Sequence, residues 1–208
     1  TGAGVVIAQF FGAGNTCKMK RAIHNSIALT LVMGVVLTIV GLLFNDPILK
    51  AIGVPSEVFS EASTYLSIYF WSLIFVMVYN MGSGILRSVG DSKRPLYFLI
   101  FSSVVNIILD FLFVKYFHFG VAGAGYATLI AQAISAIMVM YVLMKTEDDY
   151  KVILKEIGFD KEILLKIIKI GLPTGFQQSI VSLSNVIVQS YINVYGASVI
   201  AGYSVTIK

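Results

Sequence analysis

The sequence predicts an all-α protein, a polytopic bundle of transmembrane helices. Of its 208 residues, 57% are hydrophobic and 12% are charged, whereas a typical soluble domain has about 25% charged residues. A helix needs about 20 consecutive apolar residues to cross the hydrocarbon core of a bilayer, and such runs recur along the chain. The basic residues lie between these runs and not in one patch, which is typical of membrane loops and argues against nucleic acid as a partner.

The apolar runs indicate about seven full or partial spans. We predict a partial span at 1–14, complete spans within 22–44, 62–86, 95–117, 121–144 and 163–194, and the start of another at 197–207. Each end of the chain interrupts an apolar run, so we expect the chain to be part of a longer protein. The lipid bilayer and the remainder of the chain are therefore predicted partners.

The charge of the connections predicts the orientation in the membrane. The connections near 15–21, 87–94 and 145–169 hold three, three and six basic residues, whereas those that alternate with them hold only Lys50 and Lys115. Cytoplasmic loops are enriched in Lys and Arg. We therefore predict a multi-pass protein of the inner (plasma) membrane with the three basic connections in the cytoplasm.

The connection at 145–169 is the longest polar stretch of the chain. Its six lysines are matched by six acidic residues, so it is not a polybasic segment. Apolar residues recur in it at roughly helical spacing, which is compatible with an amphipathic helix on the inner leaflet. A solvated connector between two helical bundles is an equally good interpretation.

Asp110 is the acidic side chain that lies well inside a complete apolar run. A carboxylate at the centre of a membrane helix costs about 2.5–3.5 kcal/mol on insertion scales. One interpretation is structural, with Asp110 reaching the outer interface or pairing with Lys115. The other is a carboxylate that faces a polar cavity and binds a proton or a monovalent cation. Burial favours its neutral form and a bound cation its charged form, which is the competition that a coupled antiporter requires.

Three polar side chains are candidate companions of Asp110. Asn106 lies four residues earlier and shares its helix face, Thr128 follows in the next span, and Asn80 lies in the preceding one. Each alone is typical of a hydrogen bond between helices, but with a carboxylate they offer the oxygen donors that suit Na⁺ or a proton. Cys17 is the only cysteine, and the two histidines lack acidic neighbours at metal-ligand spacing, which argues against a membrane-embedded enzyme.

Several motifs resemble the multidrug and toxic compound extrusion (MATE) transporters, in particular their bacterial branch. The runs GILRSVGDSKRP at 84–95, NIILD at 106–110 and GVAGAGYAT at 120–128 are similar to the family's signature in helices four to six. AQFFGAG at 8–14 resembles the end of helix two, and GLP at 171–173 with QQ at 177–178 resembles the start of helix seven.

The resemblance implies an intact protein of twelve transmembrane helices in two six-helix lobes. This chain would run from late helix two to early helix eight. Residues 1–144 would form part of the amino-terminal lobe, 145–162 the cytoplasmic linker between the lobes, and 163–208 the start of the carboxy-terminal lobe. The family exchanges Na⁺ or H⁺ for organic compounds, so no cofactor besides the coupling ion is expected.

The resemblance also implies functional residues. The cation site of the amino-terminal lobe maps onto Asn106, Asp110 and Thr128, with Asn80 nearby, and in the family this site also uses an aspartate on helix one, which this chain lacks. Val181 stands where some relatives have a glutamate. Four amides are candidates for lining the substrate cavity: Gln177, Gln178, Asn185 and Gln189.

The implied function is cation-coupled export of amphipathic, cationic drugs or metabolites. The alternative transporter is a flippase of lipid-linked oligosaccharides from the same superfamily, which is expected to carry cationic side chains for a pyrophosphate headgroup. In the complete spans the sequence offers only Asp110, whose charge has the wrong sign.

Overall fold

The computed structural model describes residues 2–193, which fold mainly into α-helices. Seven α-helices follow one another in this range: α1 (Gly2–Gly12), α2 (Thr16–Leu43), α3 (Asn45–Ile52), α4 (Ser56–Ser88), α5 (Lys93–Phe111), α6 (Gly120–Lys145) and α7 (Lys161–Asn193). A π-helical turn (Leu112–Tyr116) extends α5, and a short 3₁₀ turn (Leu154–Glu156) precedes α7. No strand occurs among the described residues, which confirms the predicted all-α class.

Four helices in the described range are long and apolar enough to cross a bilayer: Thr16–Leu43, Phe59–Ser88, Lys93–Tyr116 and Gly120–Lys145. They coincide with the spans predicted from 22 to 144. Helix α1 is a shorter apolar helix, in agreement with a partial span. Helix α7, predicted as a fifth complete span, has sufficient length but is not among the four, because its amides and serines lower its hydropathy. The predicted span at 197–207 lies outside the described residues.

Helix α4 is the centre of the bundle, with α1, α2 and α6 packed around it and α5 packed on α6. Small residues allow these helices to approach closely, as they commonly do in membranes. Gly34 faces Ile74 and Gly41 faces Phe70 where α2 meets α4, and Gly125 faces Ile68 where α6 meets α4. A Cβ atom added at Gly82 of α4 would lie 2.8 Å from the methyl groups of Val139 in α6.

The buried core is concentrated at one end of the bundle. The largest fully buried apolar side chains come from α1, the start of α2 and the ends of α4 and α6: Val6, Ile7, Met19, Ile23, Ile85, Leu86, Val139 and Leu143. This end also carries the three basic connections, and we call it the basic end. Away from it, α2 and α5 expose rows of large apolar side chains, as helices do that face lipid.

Residues 146–160, which we call the linker, dock onto the basic end. The linker is not an amphipathic helix, because most of it is irregular. Most of its residues are exposed, as in a solvated connector, but Tyr150 and Val152 are buried. Val152 is 2% exposed and its N–H donates to Leu143 O at 2.8 Å. Ile163 and Ile167, which continue the apolar pattern, belong to α7 and are buried in the core.

Ion pairs hold the linker against the start of α2. Lys20 Nζ lies 3.2 Å from Asp149 Oδ1, and Arg21 lies 3.5 Å from Asp160 Oδ2. The hydroxyls of Tyr150 and Thr146 lower the pKa of Asp148, because they hydrogen-bond to its charged form, and Arg94 of the second basic connection acts in the same direction. The three basic connections are therefore neighbours in space, as the orientation prediction requires.

Candidate cation site and substrate pocket

Helix α5 places Asp110 on the face that packs against the bundle. Phe98 and Ser102 are buried, and Asn106 and Asp110, which follow at the same four-residue spacing, are half-buried. Residues four apart lie above one another on one helix face. The amide and the carboxylate therefore occupy one stripe, as the sequence predicted.

Both polar groups have an atom without a hydrogen-bond partner. Asn106 Nδ2 and Asp110 Oδ1 are buried, and neither has a partner among the described residues. Leaving a buried polar atom unsatisfied costs about 1–3 kcal/mol, and more for a charged group. Several other polar side chains in the spans bond to their own helix, as Thr30 does to Ser26 O at 2.8 Å, although Ser83 Oγ and Asn25 Oδ1 also lack a partner among the described residues. The pair on α5 thus has donor and acceptor capacity that the described fold does not use.

The structural interpretation of Asp110 as the partner of Lys115 is not supported. Lys115 Nζ instead lies over the ring of Phe111, 4.7 Å from its centroid. The described ion pairs do not include Asp110. Among the described residues, therefore, no ion pair accounts for the position of its carboxylate.

A π-helical turn follows Asp110 directly. The turn spans Leu112–Tyr116, and the Phe117 N–H donates to Leu112 O at 3.1 Å across the wider loop. π-Helical turns inside helices occur frequently at functional sites. This turn could not be predicted from the sequence, since residues 111–117 continue the apolar run of α5.

Thr128 is brought to the level of the α5 pair by the packing of α6. A Cβ added at Gly123 would lie 3.0 Å from Phe113 Cβ, so the two antiparallel helices meet closely at these residues. Thr128 follows Gly123 by five residues in α6. In the antiparallel α5, the position five residues before Phe113 lies midway between Asn106 and Asp110, at a similar level. The Thr128 hydroxyl donates to Ala124 O at 3.0 Å, which leaves its oxygen lone pairs available to accept or to ligate.

Asn80 belongs to a different site from Asp110. Its side chain is exposed, and its Nδ2 donates to Val76 O at 2.9 Å. It lines a pocket of about 640 Å³ between α1, α2 and α4, whose wall contains no described residue of α5 or α6. The structure therefore places Asn106 and Asp110 on one face of α5, Thr128 at a similar level of α6, and Asn80 in this pocket.

The pocket has the size and character of a site for a small organic molecule, since such sites typically occupy about 300–1,000 Å³ and are mostly apolar with a few polar groups. Its lining residues come from three helices: Gly4, Val5, Ala8, Thr30, Met77, Asn80, Met81, Gly84, Arg87 and Ser88. Among them Arg87 is the only charged residue. Thr30 and Arg87 were not predicted as lining residues. The alternating four- and three-residue spacing of Met77, Met81, Gly84 and Ser88 marks one face of α4 and could have indicated the pocket.

The amides predicted to line the substrate cavity lie on α7, apart from this pocket. Gln177, Gln178 and Asn185 are exposed. Gln178 lines a separate groove with Thr174 and Ser182 whose wall is formed entirely by α7 residues. The side chain of Gln189 lies outside the described part of the structure. The described residues therefore do not join the two sets into one cavity, and this grouping stays a prediction.

Comparison with known proteins decides the family. A model of the MatE family matches residues 1–112. The chain belongs to the MATE family of membrane transporters. The family resemblance inferred from the motifs is therefore confirmed, and the members of this family are transporters and not enzymes.

Individual MATE relatives cover the whole chain. "Probable multidrug resistance protein YoeA" of Bacillus subtilis (strain 168) is 33% identical over 99% of this chain and 46% of its own length. A solved outward-facing multidrug resistance MATE transporter matches 91% of this chain and 42% of that one at 30% identity, with a TM-score of 0.83. The inward-facing counterpart matches 83% and 39% at 31% identity, with a TM-score of 0.77. The chain spans about half the length of these MATE proteins.

Replacing Asp110 or Asp160 by leucine in the full-length protein should have different effects on its melting temperature. Asp110→Leu removes an unsatisfied buried atom, so the melting temperature should stay the same or rise. Asp160→Leu removes the cap of α7, where Asp160 Oδ1 accepts from the N–H groups of Glu162 at 3.0 Å and Ile163 at 3.3 Å. Loss of such a cap costs about 1 kcal/mol, so the melting temperature of the longer full-length protein should fall by roughly 1–2 °C.

Thermal unfolding of the purified variants, followed by intrinsic fluorescence, measures both changes. A marked fall for Asp110→Leu would mean that its carboxylate has a structural partner.

Proposed function

We propose that the full-length protein is an antiporter that exports amphipathic small molecules in exchange for Na⁺ or H⁺ by alternating access between two lobes. The observation that supports it most is the half-buried pair of Asp110 and Asn106, whose unpartnered atoms lie inside a membrane helix. An ionisable residue in such a place marks an ion pathway or a proton relay more often than a structural contact. The name of the Bacillus relative, a probable multidrug resistance protein, agrees with drug export.

The coupling ion would bind between α5 and α6. The Asp110 carboxylate, the Asn106 side-chain carbonyl and the Thr128 hydroxyl are oxygen donors, which suit a hard monovalent cation as well as a proton. With neither bound, a buried charge would lack a counter-ion, so the ion-free state is costly. This cost favours binding of a proton or a cation before the protein changes its conformation.

The arrangement of α1 and α7 supports alternating access. Helix α1 belongs to the proposed first lobe and α7 to the second, and they pack against each other near the basic end. A Cβ at Gly2 would lie 2.6 Å from Gly171 N, and Lys166 Nζ lies 4.5 Å from the centroid of the Phe10 ring. This contact corresponds to a form closed at the basic end.

We place the basic end in the cytoplasm and the helices in the plasma membrane, since the three basic connections meet there and such connections remain on the cytoplasmic side. The pocket between α1, α2 and α4 then lies in the cytoplasmic half of the bundle. Its methionines and small residues suit varied apolar ligands. The described wall of this pocket has no carboxylate that would favour a cationic substrate. A preference for cationic substrates would therefore depend on Asp110 or on the rest of the protein.

A flippase for lipid-linked oligosaccharides is supported less well. A pyrophosphate headgroup is normally held by several Arg or Lys side chains. The described wall of the pocket offers Arg87 alone. Binding of cationic dyes, as opposed to lipid-linked sugars, by the purified protein separates the two proposals.

The variant Asp110→Asn tests the coupling step. Removing the charge should lower cation-driven efflux by roughly 5- to 150-fold, the range expected for the coupling between two sites, while expression stays normal. Dye efflux from proteoliposomes with an imposed Na⁺ or H⁺ gradient measures this. Asp46→Asn is the matched control, because Asp46 is exposed and hydrogen-bonds Ser63 outside the proposed site. Gradient-driven efflux that persists in Asp110→Asn would rule out this mechanism.

The variant Gly2→Ala tests the closure of the basic end. Its new Cβ would overlap the backbone of Gly171, so the contact between α1 and α7 should open. In Gly171→Ala the new Cβ would lie 3.6 Å from Gly2 Cα, an ordinary contact, so this variant is the control. Pulsed electron paramagnetic resonance between labels on Cys17 and Lys169→Cys should show a longer distance in Gly2→Ala only. An unchanged distance in both variants would argue against a gate at these glycines.

A further inference from the structure

The linker is held by two consecutive residues near the start of α2. His24 and Asn25 are 3% and 1% exposed, although both are polar. The Ile153 N–H donates to His24 Nε2 at 3.0 Å, and Asn25 Nδ2 donates to Asp160 O at 2.7 Å. These contacts join residues more than a hundred positions apart in the sequence. They connect the first lobe to the segment that leads into α7.

The two hydrogen bonds of His24 define its protonation state. Its Nδ1 lies 2.7 Å from Lys20 O, and since a carbonyl can only accept, Nδ1 must carry the hydrogen. Its Nε2 faces the Ile153 N–H, which can only donate, so Nε2 must present its lone pair. The imidazole is therefore neutral, with its hydrogen on Nδ1, whenever the linker is docked in this way.

The position of the linker determines where α7 begins. Asp160, the last linker residue, caps α7 through Oδ1, while its backbone carbonyl is bound by Asn25 and its Oδ2 lies 3.5 Å from Arg21. The contacts that dock the linker therefore also fix the position of the first turn of α7. His24 contributes the anchor in the middle of the linker.

Charged groups from α2 and from the linker lie around His24. From α2, Lys20 and Arg21 stand beside it, but they pair with Asp149 and Asp160. From the linker, Glu156 Oε2 lies 3.9 Å from Nε2. Cys17 lines the same cavity and is exposed. Glu156 would attract an imidazolium, but its side chain is 56% exposed, so solvent weakens this attraction.

We propose that His24 is a pH-sensitive latch for the linker. The neutral imidazole accepts the Ile153 N–H and holds the linker, and with it the start of α7, on the first lobe. When Nε2 takes up a proton, two N–H groups face each other and a cation is buried, so the linker is released. Only the consequence for lobe movement depends on the proposed transport function; the latch itself does not.

Hydrogen–deuterium exchange of the full-length protein tests the latch. The peptide that covers Ile153 is followed at about pH 7.5 and about pH 5.5, a range in which histidines change charge, with correction for the intrinsic exchange rate. In the wild-type protein, protection of the linker amides should fall roughly tenfold or more at the lower pH, as expected for loss of a buried hydrogen bond. Equal protection at both values would overturn the proposal.

Two variants of His24 separate the latch from a general effect of acid. His24→Gln offers an amide oxygen to Ile153 N–H and does not titrate, so protection should stay high at both pH values. His24→Leu offers no acceptor, so protection should be low at both. His118→Asn alters the other histidine of the chain, which lies in the connection before α6, and should behave like the wild type. A fall in protection in His24→Gln equal to that of the wild type would show that another group causes it.

The exchange experiment does not depend on transport. If efflux fails to follow an ion gradient while the linker still responds to pH through His24, the proposed antiporter is wrong and the latch remains. Should His24→Leu fail to fold, the comparison of wild type with His24→Gln decides the matter alone.

Discussion

A hydrocarbon interior solvates neither a backbone amide nor a charge, and this constraint shapes the whole molecule. Every polar group within the membrane must find its partner inside the protein. The chain meets the demand with helices, whose backbone groups bond to one another, and with hydroxyls that bond to their own helix. Ser26 and Ser88 donate to the carbonyls of Ala22 and Gly84 in this way. Asn106 and Asp110 depart from this pattern, and Asp110 Oδ1 is the unpartnered buried atom of the described residues that belongs to an ionisable side chain.

The same constraint divides the molecule into two regions with different packing. At the basic end, where loops and the linker cover the helices, large apolar side chains are buried as in a soluble protein. Along the rest of the spans, large apolar side chains face outward and contact between helices depends on glycine. The proposed cation site lies in the second region, on α5, whereas the contact between α1 and α7 lies in the first. Ion binding and lobe closure would therefore be linked through the rigid helices α4 and α6 between them.

Much of this could be predicted from the sequence, because run length and loop charge respond directly to the bilayer. The four spans between residues 16 and 145, the shared face of Asn106 and Asp110, and the proximity of the basic connections all follow from local patterns. Docking of the linker could not be predicted, since it depends on His24 and Asn25 meeting backbone groups that are far away in the sequence. Asn80 was grouped with Asp110 because spacing along α4 does not reveal which neighbouring helix a side chain faces.

The central claim is that Asp110 exchanges a proton or a cation within the membrane. Infrared difference spectroscopy of the full-length protein, between acidic and neutral pH and with or without Na⁺, observes carboxyl groups directly. A protonated-carboxyl band that appears on acidification, is lost in Asp110→Asn and persists in Asp46→Asn is the result that the account predicts. A spectrum that Asp110→Asn leaves unchanged would contradict it.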